Sequence, residues 1–225
     1  MNAANVFSTL GTIFSVFLSF SPTVPFIQVF KRQEKIDILP EGMLLCQLLN
    51  RLLWCSVWVL TKKLIPFINA SIGILITTVF ITLYLFLYFH RMYLQTLGKF
   101  ILLLIFESSI FFGAIIYGNV SVVSIIAMIF NVAMYIAPGQ KILRVIKEKN
   151  YKLIPIRSTI VSICCSGSWL MYGIVIYLIP QIIPNALGLF FSIANTLAWI
   201  YFYIHRDSKD KEEETFAVIH NNSFN

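Results

Sequence analysis

The sequence has few charged residues for its length. Only 12% of its 225 residues are Asp, Glu, Lys or Arg, whereas 58% are hydrophobic. A soluble domain carries about 25% charged residues, and the mean hydropathy of +0.82 points the same way. So little polar surface cannot solvate a water-soluble globule of this size. The composition therefore excludes most classes of soluble protein and predicts a membrane protein.

The sequence also lacks the residue groupings on which enzyme chemistry depends. Its ten acidic residues and three histidines include no paired carboxylates, no nucleophile with a base and no metal-ligand cluster at a suitable spacing. The absence of a Gly-rich phosphate loop argues against an ATP-driven pump. All four cysteines fall within apolar runs, where cysteine behaves as a small hydrophobic residue. We therefore expect no enzymatic activity, no catalytic residue, no metal, no cofactor and no nucleic-acid partner.

Apolar runs recur along the whole chain, each of about 20 residues and long enough to cross a hydrocarbon core about 30 Å thick. Backbone amides in lipid must pair within a helix or a closed barrel, and these runs are too long and continuous for barrel strands. The sequence therefore predicts an all-α membrane protein with seven transmembrane helices in a lipid bilayer. The predicted spans lie near Asn5–Phe30, Pro40–Leu60, Pro66–Phe89, Leu97–Tyr117, Ser121–Ile142, Pro155–Tyr177 and Ile182–Ile204.

The connections between the spans differ in their content of Lys and Arg. One set contains most of these residues, whereas the opposite set contains only Lys62 and Lys63. Because Lys and Arg concentrate in cytoplasmic loops, this asymmetry predicts an outside N-terminus and a cytoplasmic C-terminus. The polar segment 205–225 should form a disordered cytoplasmic tail. We favour the plasma membrane over an internal membrane, and the sequence leaves a homo-oligomer open.

Two parts of the sequence resemble each other at an offset of 115 or 116 residues. The matched pairs are Pro22 and Pro138, Pro40 and Pro155, Trp54 and Trp169, Asn69 and Asn185, and His90 and His205. This repeat divides the seven spans as 3+1+3: a first triple-helix repeat over 5–89, a connector helix over 97–117 and a second repeat over 121–204. Because one span lies between them, the two triple-helix bundles should be parallel, as in one established transporter design. A pore would lie naturally on the axis between them.

Four motifs accompany this repeat: Ser21-Pro22 followed by Lys31-Arg32, Asn131 to Pro138 in NVAMYIAP, Trp169-Leu-Met-Tyr172-Gly173, and Ile183-Pro184-Asn185-Ala-Leu-Gly188. With these motifs and the repeat, the chain resembles the SWEET sugar transporter family over nearly its whole length except the tail. The resemblance implies a uniporter that mediates bidirectional facilitated diffusion of mono- or disaccharides by alternating access. It also implies hinge prolines, because proline removes an amide donor and loosens its helix. The matching residues are Pro22, Pro40, Pro138 and Pro155; alternatively, Pro40 and Pro155 simply begin helices.

In this family, tryptophan and asparagine from each unit line a central sugar pocket. The matching residues are Trp54, Asn69, Trp169 and Asn185. An indole face packs on the C–H groups of a sugar, and an amide both donates to and accepts from hydroxyls. The alternative is that the tryptophans belong to the interfacial belt and the asparagines to helix–helix hydrogen bonds. The first unit has Trp58 instead of the Tyr-Gly that follows in the second, so we expect a differently built outer gate.

Six further positions match the substrate pocket of the family. They are Asn50, Cys165, Leu18, Met134, Ser15 and Asn131. Asn50 and Cys165 lie one turn before the tryptophans, where the family often has serine, and Cys165 largely loses hydrogen-bonding capacity. Leu18 and Met134 are bulky, as in family members that carry monosaccharides. The remaining serine and asparagine can bind hydroxyls, so we expect a monosaccharide such as glucose as the small-molecule partner.

Two charged residues, Arg51 and Glu107, fall near the middle of spans two and four. Intramembrane charges are costly and usually face a partner or water. Because the two lie at similar predicted depth, we expect a structural ion pair; proton coupling through Glu107 is the alternative. The alternative for the whole chain is an organellar amino-acid exporter of the PQ-loop type, with or without proton coupling, although Pro180-Gln181 falls in an outer loop. A receptor of the same fold would not need matched polar residues in both units.

Overall fold

The computed structural model of the chain describes residues 2–31, 39, 41–87, 93–117 and 119–205. Within these residues the structure is helical and contains no strand, which confirms the predicted all-α fold. The helices are α1 (Ala3–Ser19), α2 (Thr23–Phe30), α3 (Glu41–Leu60), α4 (Leu64–Leu87), α5 (Tyr93–Tyr117), α6 (Val120–Ala133), α7 (Ile136–Glu148), α8 (Ile156–Val175) and α9 (Ile179–Ile204). A short 3₁₀ turn, Tyr151–Leu153, precedes α8.

In the described part of the chain, six helical segments are long and apolar enough to cross a membrane, with α1 and α2 counted as one segment. They lie on the first, second, third, fourth, sixth and seventh predicted spans. The fifth span contains α6, whose 14 residues extend about 21 Å at about 1.5 Å per residue. This length is less than a hydrocarbon core of about 30 Å. A crossing here would therefore include the first turns of α7, and the predicted bounds Ser121–Ile142 stay a prediction.

The first predicted span, Asn5–Phe30, contains two helices instead of one, and the break lies at Pro22, whose part as a hinge stays a prediction. A turn over residues 20–22 separates α1 from α2. Because Pro22 has no amide hydrogen, the Leu18 carbonyl accepts instead from the Ser21 amide, at 3.0 Å. The proline thus ends the helix within the span, and its ring is fully buried.

The fifth span has a matching break between α6 and α7. It lies at Met134 and Tyr135, three residues before Pro138. The physical reason is the same, because residue 138 has no amide to donate to the carbonyl four residues earlier, that of Met134. Of the other two prolines predicted as hinges, Pro155 directly precedes the first residue of α8, a position where proline is well tolerated. Pro40 lies outside the described residues.

The helices pack in the same order in the two halves of the chain. In the first half α1 contacts α4 and α4 contacts α3; in the second half α6 contacts α9 and α9 contacts α8. Two contacts join the halves, α1 with α8 and α3 with α6. The repeat offset of 115 or 116 residues relates α1 to α6 and α3 to α8. The contact of α1 with α8 therefore corresponds to the contact of α6 with α3. This is the pattern that an approximate twofold axis between α1, α3, α6 and α8 produces.

The helix α5 is attached mainly to the first half, where it contacts α3 and α4, and it also contacts α6. At one end Lys99 forms an ion pair with Glu41 at the start of α3, with 2.8 Å between Nζ and Oε1. Midway along α5, Glu107 accepts a hydrogen bond from the Ser56 hydroxyl at 2.6 Å. These two contacts connect α5 to α3.

The structure does not form the ion pair predicted between Arg51 and Glu107. Arg51 donates from Nη2 to the Ser19 hydroxyl on α1 at 2.7 Å, while Glu107 binds Ser56. Ser56 follows Arg51 by five residues, which places the two side chains about 140° apart around α3. Similar depth along the membrane normal was therefore insufficient, because the two charges face different neighbours of α3.

Candidate functional site

A cavity of about 230 Å³ lies between the two halves, bounded by α1, α3, α4, the break between α6 and α7, α8 and α9. All ten residues that the sequence analysis matched to a substrate pocket lie on its wall. They are Ser15, Leu18, Asn50, Trp54, Asn69, Asn131, Met134, Cys165, Trp169 and Asn185. The structure thus brings together residues from both halves of the repeat, and their part in substrate binding stays a prediction.

Aromatic side chains close the cavity on the side toward the ends of α3 and α8. Trp54 stacks on Trp58 with 5.3 Å between ring centroids, and Trp58 meets Tyr172 edge-on at 6.0 Å. Tyr172 in turn meets Trp169 edge-on at 5.6 Å, and all four rings are buried. The repeat counterpart of Tyr172 is Val57, so the first half supplies its neighbour Trp58 instead. The two halves therefore build this closure from different residues.

The indole of Trp169 is held against α1. Its Nε1 donates to the Ser15 hydroxyl at 2.8 Å, and Cys165 Sγ lies 3.3 Å from the same oxygen. Gly11 permits this approach, because a Cβ built there would lie 2.8 Å from Cε2 of the indole. Two expectations change as a result. Ser15 positions Trp169 rather than standing free to bind a sugar hydroxyl, and Cys165 retains a hydrogen-bonding contact that we expected it to lose.

Three buried amide oxygens on the cavity wall have no hydrogen-bond partner in the described part of the chain. They belong to Asn50, Asn69 and Gln181. A buried acceptor without a partner costs about 1–3 kcal/mol, so a ligand that donates hydrogen bonds gains free energy here. Asn185 differs, because its Nδ2 donates to the Gln181 carbonyl at 2.7 Å within α9.

Sequence reasoning missed several residues of the wall. They are Ser19, Gln47, Arg51, Trp58, Ala70, Tyr135, Ser162, Ser166 and Gln181. Helical spacing could have found most of them, because residues three or four apart share a helix face. Gln47 precedes Asn50 by three positions, and Gln181 precedes Asn185 by four. Arg51 was not assigned to the cavity for a different reason: its predicted depth in the membrane suggested an ion pair with Glu107 on α5.

The described cavity wall carries the charge of Arg51 and no carboxylate. Glu107, the alternative route for protons, lies on α5 against Ser56 and is not among the residues of the wall. An amino-acid substrate would bring an ammonium group, for which no acidic partner lines the described cavity. The described wall thus combines one cationic side chain with neutral hydrogen-bonding groups.

Comparisons with known proteins point to the same class. A family described as "Sugar efflux transporter for intercellular exchange" matches residues 121–207. Bidirectional sugar transporter SWEET10 of Arabidopsis thaliana is 26% identical over 211 residues, which cover 88% of this chain and 71% of that protein. Bidirectional sugar transporter SWEET1a of Sorghum bicolor is 28% identical over 214 residues, which cover 90% and 77%.

The fold agrees with a solved structure as well. A eukaryotic SWEET transporter determined at 3.7 Å resolution aligns with a TM-score of 0.80 and 20% sequence identity, over 89% of this chain and 97% of that one. This likeness shows a shared fold. Together with the apolar helices and the sequence relatives, it identifies an integral multi-pass membrane protein that is similar in sequence and fold to SWEET transporters.

Proposed function

We propose that this protein is a transporter rather than an enzyme, and that it carries sugars through the central cavity by facilitated diffusion. Its relatives are named bidirectional sugar transporters, and the matching family is described as a sugar efflux transporter. The observation that carries the proposal is the composition of the cavity wall. Indole rings and unpaired amide oxygens from both halves converge on one space between membrane-spanning helices.

The wall suits the two kinds of surface that a sugar ring presents. Trp54 and Trp169, one from each half, supply apolar faces for the C–H groups of the ring. Asn50, Asn69 and Gln181 supply acceptors for its hydroxyl donors. Each such hydrogen bond contributes only about 0.5–1.5 kcal/mol net. The resulting weak binding suits a carrier that must release its substrate on either side.

The size of the cavity favours a monosaccharide. Its volume of about 230 Å³ falls below the range of about 300–1,000 Å³ usual for pockets that hold drug-sized ligands. Leu18 and Met134 occupy wall positions where smaller side chains would leave more room. We therefore propose a hexose such as glucose rather than a disaccharide.

The proposed mechanism is alternating access between two triple-helix units, 5–89 and 121–204, joined by the connector 97–117. The aromatic side chains close one side of the cavity. The breaks at residues 20–22 and 134–135 interrupt the helical hydrogen bonds of the leading helix in each half. Because a helix bends most readily where such bonds are missing, α2 and α7 can tilt as gates, with Pro22 and Pro138 as hinges.

We propose that the protein lies in the plasma membrane with its N-terminus outside. The excess of Lys and Arg in one set of connections supports this orientation. The aromatic closure then faces outward, because α3 runs from it into the outer loop with Lys62 and Lys63. Of the predicted cytoplasmic tail, 205–225, the structure describes His205, and the rest of the tail lies outside the described residues. A protease-sensitive tag at the C-terminus should be protected in intact cells and cleaved after permeabilisation.

Uptake of labelled glucose by cells that lack hexose uptake tests the proposed function. The intact chain should produce saturable glucose entry and, in preloaded cells, glucose exit. Asn69→Ala and Asn185→Ala should each weaken glucose uptake, by up to about tenfold for the loss of one hydrogen bond.

Asn195→Ala is the matched control for these two variants. Asn195 lies on α9, donates to the Phe191 carbonyl at 2.9 Å and has an unpaired buried oxygen, but it is not on the cavity wall. Its substitution should leave the KM for glucose unchanged. Uptake unaffected by Asn69→Ala and Asn185→Ala would refute the proposed site, and uptake of sucrose without hexose would refute the proposed substrate.

A further inference from the structure

Arg51 places a guanidinium on the cavity wall, in the middle of α3. Its Nη2 donates to the Ser19 hydroxyl at 2.7 Å, and the described residues provide no other hydrogen-bond acceptor for it. A guanidinium has five N–H donors. Most of its donors are therefore left for whatever occupies the cavity.

The carboxylates in the described part of the chain are all engaged elsewhere. Glu41 pairs with Lys99 at 2.8 Å and Glu148 with Arg144 at 2.8 Å. Glu107 accepts from a serine hydroxyl of α3 at 2.6 Å. A charge within a membrane-spanning segment is costly unless it faces a partner or water. Because no described carboxylate pairs with the cavity guanidinium, a counter-charge can come from the contents of the cavity.

The second half of the chain contains a neutral version of this arrangement. Arg51 lies over Gly73 on α4, where an added Cβ would overlap Cδ, Cζ and Nη1 of the arginine. The counterparts of Ser19 and Arg51 at the repeat offset are Tyr135 and Ser166, and the glycine that they face is Gly188 on α9. There the two hydroxyl side chains lie over the glycine of α9. Since uncharged side chains fill the equivalent space, packing alone does not require a cation in the first half.

We propose that Arg51 makes this cavity an anion site. The bound anion is either the carboxylate of an acidic monosaccharide or a small free anion, such as chloride, beside a neutral sugar. The inference rests on the proposed sugar transport and specifies the substrate class of the same cavity. Arginine binds carboxylates through two parallel, charge-assisted hydrogen bonds, and the neighbouring amide of Asn50 can meet the hydroxyls of such a ligand.

Competition between two ligands of equal size tests the proposal. Purified full-length protein in liposomes takes up labelled glucose in the presence of glucuronate or of glucuronamide, which differ in charge. Glucuronate should inhibit about tenfold more strongly, because hydrogen bonds between charged groups are stronger than neutral ones. Arg51→Gln should reduce this ratio to about one, and Arg51→Lys should preserve part of it.

The second source of the anion gives a different result. If the anion is free, glucose uptake by the intact protein should fall when methanesulfonate replaces chloride. Glucose uptake by the Arg51→Gln variant should then not depend on chloride. Glucuronate and glucuronamide should inhibit glucose uptake by the intact protein equally. Either this result or the preference for glucuronate supports the anion site.

A second variant keeps the positive charge of Arg51 but displaces the guanidinium, and it tests the proposal even if Arg51→Gln does not fold. Gly73→Ala should displace the guanidinium from its place on α4 and abolish the preference for glucuronate. Gly188→Ala is the matched control, because it crowds Tyr135 and Ser166 instead. It should retain the ratio between the two inhibitors even where uptake itself falls.

Equal inhibition by glucuronate and glucuronamide, together with uptake that does not depend on chloride, would overturn the anion site. A preference that survives unchanged in Arg51→Gln would overturn it too. Binding measured by the fluorescence of Trp54, Trp58 and Trp169 on the wall separates this failure from that of the proposed function. Tighter binding of glucuronate without any sugar uptake would refute transport and support the anion site.

Discussion

Replacing Gly11 with alanine should displace Trp169 from the cavity wall. The new Cβ would lie 2.8 Å from Cε2 and 2.9 Å from Nε1 of the indole, whereas unstrained carbon contacts lie at about 3.5–4.0 Å. The indole must therefore move by about 0.7 Å or more. Because its Nε1 is 2.8 Å from the Ser15 hydroxyl, the hydrogen bond between α8 and α1 should weaken or break.

Opposing effects set the change in the free energy of unfolding. Alanine is favoured over glycine within a helix by about 1 kcal/mol. Loss of the hydrogen bond of Trp169 costs about 0.5–1.5 kcal/mol, and overpacking costs about 1–3 kcal/mol. The net destabilisation is therefore about 0.5–3.5 kcal/mol. Because the displaced ring lies on the cavity wall, we expect glucose uptake to fall even where the variant stays folded.

The assay combines thermal unfolding in detergent with glucose uptake in cells. Gly167→Ala is the matched control, because it lies on α8, two residues before Trp169, and a Cβ there meets nothing within 4 Å. It should raise or preserve the melting temperature and leave uptake intact. Full uptake and an unchanged melting temperature in Gly11→Ala would refute the proposed role of the contact between the indole and α1.

Three other results are expected. Trp58→Ala should open the aromatic closure, so that an impermeant thiol reagent added outside modifies Cys165 faster; an unchanged rate would show that the closure is elsewhere. Ser56→Ala and Glu107→Gln should each lower the melting temperature, and the double variant should do no more than the worse single variant, because they share one hydrogen bond of 2.6 Å. Exchanging the charges of Arg51 and Glu107 should not restore uptake, since the two residues have different partners; rescue would contradict this structure.

The helical spans could be predicted from the sequence because hydropathy and length respond to the bilayer itself. The repeat offset was equally informative, since it selected positions such as Trp54 and Trp169 that the fold brings to one cavity. Neither signal reports how a helix is rotated about its axis. That rotation decides that Arg51 faces the cavity while Ser56, five residues later, faces α5. Nor does hydropathy reveal the breaks near Pro22 and Met134, which arise from single missing amides.

The central claim is that a sugar occupies the cavity between the two halves, and Cys165 on its wall gives direct access to it. In a variant with Cys46, Cys55 and Cys164 replaced by alanine, Cys165 is the one remaining thiol. The measurement is the rate at which a small thiol reagent modifies Cys165, without sugar, with D-glucose and with L-glucose. We predict that modification of Cys165 abolishes glucose uptake. We also predict that D-glucose slows the modification of Cys165 more than L-glucose does. An equal rate in all three conditions, or full uptake after complete modification, would contradict the claim.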